Sequence, residues 1–337
     1  MIQANTDIFR DDMACSLYRK MFCKLYGVSS PVLKLEDISH WRAVVEKLDL
    51  SYQGVHKART LVAGGLFYGI SSRVPDTEQI KALIDEGISQ SADALLIPVV
   101  RNVEDSSVLF AAGFYAFPWF HECVYEVQKT IEDDLLLQVG KSQLKDMLRL
   151  KRKAESCYEL QILGHEDLKA NPHLIFEIDK ILGKNVSKYR HVANPYGAST
   201  LQWLLETPFA ERLKICLRRD KESGDFVQAS VSFVDMPSQQ MLQLVQGIDH
   251  RHVRTGHNLY IAETLQLYQW GIDHGIRFFN LGRGALIMKN RLGANRVYTL
   301  VNFILPLKGI DLGELKRLQQ EAILSFKNEE RMGAVKS

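Results

Sequence analysis

The sequence predicts a mixed α+β fold made of two related units. Three observations predict it. The apolar period changes from about 3.6 residues to 2 near residue 213, which marks a passage from helices to strands. An order of helix, strand, short helix and strand occurs twice, over 76–127 and 258–305, and each short helix closes on a glycine, Gly113 or Gly293. The chain has 337 residues, 46% of them hydrophobic, which is long for one core and comfortable for two.

The elements follow in order. Residues 8–26 carry Met13, Leu17, Phe22 and Leu25 near helical spacing, and GVSSP ends that helix. A short helix is expected over 40–48, with Ser39 as its cap. TLVAGGLFYGIS reads as a strand whose Gly64-Gly65 pair marks a bulge or close approach. PDTEQIKALIDEGISQ is helical, DALLIPVV a buried strand and SSVLFAAG a short helix, and strands through Tyr115 and HECVYEV follow. A basic helix spans 139–157, with Leu144, Met147 and Leu148 as its apolar stripe and six cations (Lys141, Lys145, Arg149, Lys151, Arg152, Lys153) against two acids. A helix over 171–182, a polar loop and a helix at TLQWLLETP lead to the change of period.

ERLKICLRR and FVQASVSFV then alternate strictly, with ESGD as the turn between them, and QQMLQLVQGI completes an antiparallel meander. The polar loop DHRHVRTGH precedes an amphipathic helix with Ile261, Leu265, Tyr268 and Ile272 on one face and Gly275 as its C-cap. A strand IRFFNL, a glycine-flanked loop with the short helix ALIMKNRLG, a strand RVYTLVNFILP and a last helix from about residue 312 finish the chain.

Bulk properties exclude several classes. A net charge of +2 does not by itself argue for nucleic acid, and any basic function must come from local clustering. No apolar run is long enough to span a bilayer, and the first residues lack the pattern of a signal peptide, so a cytoplasmic location without membrane insertion is expected. The five cysteines form no C-x-x-C pair, which argues against zinc and a disulfide framework, and no metal site is expected. G-x-S-x-G, Walker and H-E-x-x-H motifs are absent, and NLGRGA lacks the third glycine of a dinucleotide fingerprint.

A meander, a glycine-containing loop, a helix, a strand, a short helix and a strand is the order of the GNAT acyltransferase fold, which the chain resembles. GKSQLKDMLRLKRKAES resembles the basic helix of Fem-type aminoacyl transferases and of acyltransferases associated with cellulose biosynthesis. LYIAETLQLYQWGIDHGIRFFNLGRGALIMKNRLGA resembles the same group's signature through Gly275, Leu281, Gly282, Lys289 and Gly293, with Asn280 where an acidic residue is usual. The resemblance covers roughly 135–306. It implies two tandem GNAT-like domains with a mixed, largely antiparallel sheet flanked by helices: one over 1–130, one over 131–310, then a C-terminal helix and tail over 311–337. It implies an N-acyltransferase with no tightly bound cofactor, taking an acyl group from acyl-CoA or an acyl carrier protein to a small-molecule or peptide amine. The alternatives are an aminoacyl-tRNA donor, as in Fem-type enzymes, and a non-catalytic binding or assembly protein.

Residue chemistry names the candidates. The loop Arg251, Arg254, Thr255, Gly256, His257 and Asn258 precedes a helix N-terminus, where amide groups and the dipole favour phosphate. The resemblance sets it against a two-glycine coenzyme A loop, of which this chain keeps one glycine. His257, Asp249 and Glu263 are the candidate bases for deprotonating an amine. Asn280, Arg283 and Lys289 are candidates for binding an anionic donor or acceptor, with a solvated basic turn as the alternative. Tyr115 and Trp119, in GFYAFPWFHE, wall a substrate pocket or belong to a core.

Overall fold

The computed structural model describes residues 12–38, 55–63, 71–186 and 194–335. The expected helix over 40–48 and the Gly64-Gly65 pair lie outside them. The chain divides into two compact units, one of residues 1–122 with 298–337 and one of 123–297.

The first unit contains α1 (Asp12–Tyr26), β1 (Val32–Lys34), β2 (Arg59–Val62), α2 (Thr77–Ser89), β3 (Ala94–Arg101), α3 (Ser107–Ala111), most of β4 (Tyr115–Glu126), most of β10 (Arg296–Pro306) and α10 (Leu312–Val335). Asp76 caps α2 by accepting from the Gln79 amide at 2.8 Å, and Gln79 returns the bond to complete a capping box. β1 and β2 are antiparallel, β2 and β3 are parallel across α2, and β3 pairs with β10 antiparallel. Leu61, Ile80, Leu95, Ile97, Leu109, Phe114 and Phe303 form its core. β4 is one continuous strand from Tyr115 to Glu126 where two were expected.

The second unit holds the end of β4, α4 (Ile131–Cys157), β5 (Tyr158–Leu163), α5 (His165–Ala170), α6 (His173–Val186), α7 (Ala198–Leu204), β6 (Leu213–Asp220), β7 (Phe226–Asp235), β8 (Gln240–Ile248), α8 (Leu259–Asp273), β9 (Phe278–Arg283) and α9 (Leu286–Arg291). Its strands run β4-β9-β8-β7-β6-β5. The expected meander β6-β7-β8 is present, and β5 extends it antiparallel to β6. β9 pairs with β8 in parallel after the α8 crossover. This is the GNAT-like order the resemblance implied.

The basic helix is present from Gly140 to Cys157, as expected, and a further helical stretch precedes it in α4. α4 begins at Ile131, where the Thr130 hydroxyl accepts from the Asp133 amide at 3.1 Å, and it breaks at Gly140, whose φ of +78° lies in the left-handed region. α4 and α8 bury Leu144, Met147, Leu265 and Tyr268 with Met241, Phe279 and Leu281 of the sheet. On the neighbouring strand, α6 passes so close to β8 that a Cβ on Gly247 would lie 2.5 Å from the Ile181 carbonyl oxygen.

The two repeats read from the sequence are thus α2-β3-α3-β4 and α8-β9-α9-β10. The final strand of the second repeat changes unit, while that of the first stays mostly in place. β10, from the second repeat, completes the first unit beside β3, and the end of β4, from the first repeat, lies beside β9 in the second.

Candidate functional site

β8 and β9 pair over only three positions, from Gln240↔Phe278 to Leu242↔Asn280. β8 continues to Ile248 and β9 to Arg283, so the parallel strands part beyond Leu242. Among the described residues the β8 edge facing β9 has no strand partner past Leu242. Asn185, at the end of α6, donates to the Gln246 carbonyl at 2.7 Å.

The strand register lays a polar row inward from this opening. Cys216 of β6 faces Ser230 of β7, and Ser230 faces Gln246 of β8. Two residues along, on the same face, Arg218 faces Gln228. Residues facing each other across a ladder share one side of the sheet. Arg218, Gln228 and Ser230 are fully buried. α8 adds Glu263, also fully buried, the one charged residue of that helix before Asp273.

Glu263 is the most unusual group in the unit. Neither carboxylate oxygen has a hydrogen bond of regular geometry. Burial raises its pKa, while Ser230, Arg218 and Gln246 stand near enough to oppose the rise in part. Such a carboxyl is displaced toward the range in which a general base works at neutral pH. The Nη1 of Arg218, the Ser230 hydroxyl and the Gln246 Nε2 also lack partners. Buried polar groups are rarely left in this state, and a cluster of them marks where a ligand or ordered water completes the structure. The Cys216 thiol is pushed well up by burial and by Glu263, so it is not a thiolate nucleophile.

The loop of 249–258 is held by its own neighbours. Burial alone would raise the Asp249 carboxyl, but hydrogen bonds from Arg251 and Lys184 outweigh it and hold the group well below the usual range. Asp249 is therefore an anchor for cations. Arg254 donates to Asp220 at 2.9 and 3.1 Å and to Glu222 at 2.9 Å, and its amide donates to the Tyr158 hydroxyl at 2.8 Å. Lys153 of the basic helix donates to the Thr255 and Gly256 carbonyls at 3.2 and 3.3 Å. Asn258 caps α8 by accepting from the Ile261 amide. The His257 ring stands edge-on to Tyr158, and burial, then Lys153 and Arg254, lower its pKa and favour the neutral ring.

The Asp220–Arg254 contact has a measurable consequence. Hydrogen bonds from Arg254 hold the Asp220 carboxyl at about 2, against an unfolded value of 3.8. A depressed carboxylate contributes stability above its unfolded value and loses it as pH falls through the folded one. Thermal melts taken from about pH 5 down to about pH 2 are expected to fall more steeply for the native chain than for Asp220→Asn. Parallel curves would show that the contact contributes nothing.

The remaining candidates lie elsewhere. The Asn280 side chain accepts from the Gly282 amide at 2.8 Å at the end of β9. Lys289 is buried and donates to the Arg283 carbonyl at 2.6 Å, closing the turn into α9. Arg283 lies near the buried Tyr196 ring, whose hydroxyl pKa it lowers against the larger effect of burial. Tyr115 and Trp119 belong to the first unit, where Trp119 packs with Val99, Leu300 and Phe120. Arg218, Gln228, Ser230 and Gln246 were not singled out from the sequence. The available signal was that Arg218, Gln228 and Ser230 fall on polar positions of two alternating strands that a hairpin brings into register.

No family model matches the sequence, and no curated protein matches it. Solved structures do. The C-terminal domain of a protein provisionally described as a lysylphosphatidylglycerol synthetase, from Agrobacterium fabrum, matches at a TM-score of 0.53 and 10% identity, over 81% of this chain and 92% of that one. L-PGS from Bacillus licheniformis matches at 0.51 and 11%, over 93% and 97%. At these identities the likeness is one of fold. Among the described residues no helix is long and apolar enough to cross a membrane.

Proposed function

We propose that the chain is an N-acyltransferase whose second unit carries an acyl group from a thioester to an amine by direct attack. The observation that carries this reading is Glu263: a buried, unpartnered carboxyl beside a parallel strand pair that parts halfway. The acyl donor enters where β8 and β9 separate, and the unpaired β8 edge supplies amide donors for the developing oxyanion. Glu263 takes a proton from the acceptor ammonium. The amine nitrogen attacks the carbonyl carbon, the carbon–sulfur bond breaks, and the leaving thiolate takes up the remaining amine proton. Acyl-CoA is the proposed donor, with its phosphates at the amides of Gly256 and Asn258 before α8.

Calorimetry with coenzyme A and acetyl-coenzyme A tests the donor. Saturable one-to-one binding is expected, and Gly256→Asp is expected to weaken it at least about tenfold by placing a carboxylate against the phosphates. Unchanged affinity in the folded variant would remove the donor loop from the proposal.

A second donor is favoured by a separate observation. Lys141, Lys145, Arg149 and Arg152 are exposed at three- and four-residue intervals, so they form one basic stripe on α4. Such a stripe suits the phosphate backbone of an aminoacyl-tRNA. If that is the donor, binding falls steeply between low and moderate salt through counterion release, and a gel shift replaces the coenzyme A isotherm.

A further inference from the structure

The buried cluster around Glu263 contains two opposite charges that the protein does not join by a hydrogen bond. Arg218 is fully buried, yet no carboxylate touches it. Its Nε donates to the Gln228 side-chain oxygen at 2.8 Å and its Nη2 to that of Gln266 at 2.5 Å. Both acceptors are neutral amides, and both are themselves fixed. Gln228 donates to the Leu259 carbonyl at 3.2 Å, and Gln266 to Glu155 at 3.2 Å. The guanidinium is therefore held in one orientation with its third nitrogen, Nη1, unpartnered. Glu263 acts on Arg218 through space and Arg218 on Glu263, without a hydrogen bond between them. Ser230 and Gln246 stand close enough to the carboxyl to offset part of the effect of its burial, without a hydrogen bond of regular geometry.

A buried guanidinium with one open edge is a receptor for a carboxylate. A buried carboxylate whose oxygens have no hydrogen bond of regular geometry can receive an ammonium. A ligand carrying one charge would pair one group and leave the other buried alone, at a desolvation cost that excludes it. A small zwitterion satisfies both.

We propose that this cluster binds a free α-amino acid, with its carboxylate toward Arg218 and its ammonium toward Glu263, Ser230 and Gln246. This rests on the acyltransferase reading for the fate of the ammonium, which makes the product an N-acyl amino acid. The recognition itself needs no donor.

The test is calorimetry of the full chain with each of the common L-amino acids, without any thioester. At least one is expected to bind one-to-one. Its N-acetyl derivative, which lacks the ammonium, and its methyl ester, which lacks the carboxylate, are each expected to bind at least about tenfold more weakly. Arg218→Lys and Glu263→Gln are expected to weaken binding by a similar factor with cooperative melts retained. If the lysine variant does not fold, the glutamine variant decides. Absence of binding by every amino acid at millimolar concentration would assign the cluster to ordered water and overturn the proposal. Equal binding of the masked forms, or native affinity in the folded glutamine variant, would overturn it too. An amino acid that binds but is not acylated by any thioester would overturn the transfer reading and leave the receptor standing.

Discussion

Glu263→Gln is expected to lower the rate of acyl transfer by about 10²–10⁴-fold, the usual contribution of a positioned base, while leaving the protein more stable at neutral pH. The two effects have one cause. Burial raises the Glu263 pKa above its unfolded value of 4.5. A group raised on folding is tolerated below its unfolded value, and stability is lost as pH rises through the folded one. At neutral pH the native chain therefore carries a cost that an amide of the same shape does not. In the native chain the proposed transfer should speed up with pH as the raised carboxyl ionises. In the glutamine variant that limb should vanish, and the stability of the variant should depend less on pH. A variant that keeps its rate and its pH profile would end Glu263's part in proton transfer. A variant that loses the rate but melts lower would mark Glu263 as a packing residue.

Gly247→Ala is expected to cost about 3 kcal/mol or more, at the upper end of overpacking, and to lower the melting temperature by roughly 5–10 °C. A Cβ there would meet the Ile181 carbonyl at 2.5 Å and the Leu182 Cα at 2.9 Å. Both are backbone atoms inside α6 and have no rotamer into which to retreat. The same shift would draw Asn185 from the Gln246 carbonyl and Lys184 from Asp249, so the opening between β8 and β9 should change with the helix. Hydrogen exchange in 181–186 and 243–249 reports this directly. Unchanged protection and an unchanged melt would show that α6 is not held against β8 in solution.

Much of this architecture could be read from residue order. Strict alternation in ERLKICLRR and FVQASVSFV located β6 and β7, and the glycines after α3 and α9 located both repeats, because turn chemistry and side-chain period are local properties. β5 was missed for an equally local reason. α4 passes into β5 between Cys157 and Tyr158 with no glycine or proline to mark the change. Glu263 was legible as a lone acid in an apolar helix. Arg218 was not, because alternation implies which residues share a face and says nothing of what covers it. The polar face of β6 and β7 is covered by α4 and α8, so an arginine that reads as solvated is fully buried. Ion pairs such as Arg254–Asp220 join residues 34 positions apart and leave no trace in either stretch alone.

The placement of β10 in the first unit also determines the order in which the protein can be finished on the ribosome. Residues 123–297 contain the second unit whole, but the first unit needs residues 298–337 before β3 acquires its neighbour. The N-terminal part is made first and closes last. At about 5–20 residues per second, the β3 edge, with Leu95 and Ile97 beside it, waits roughly ten to forty seconds for its partner. During that interval it is an unpaired apolar strand of the kind that recruits other chains. Nascent chains stalled before β10 should therefore be the form of this protein that chaperones hold, and release should follow synthesis of the last forty residues.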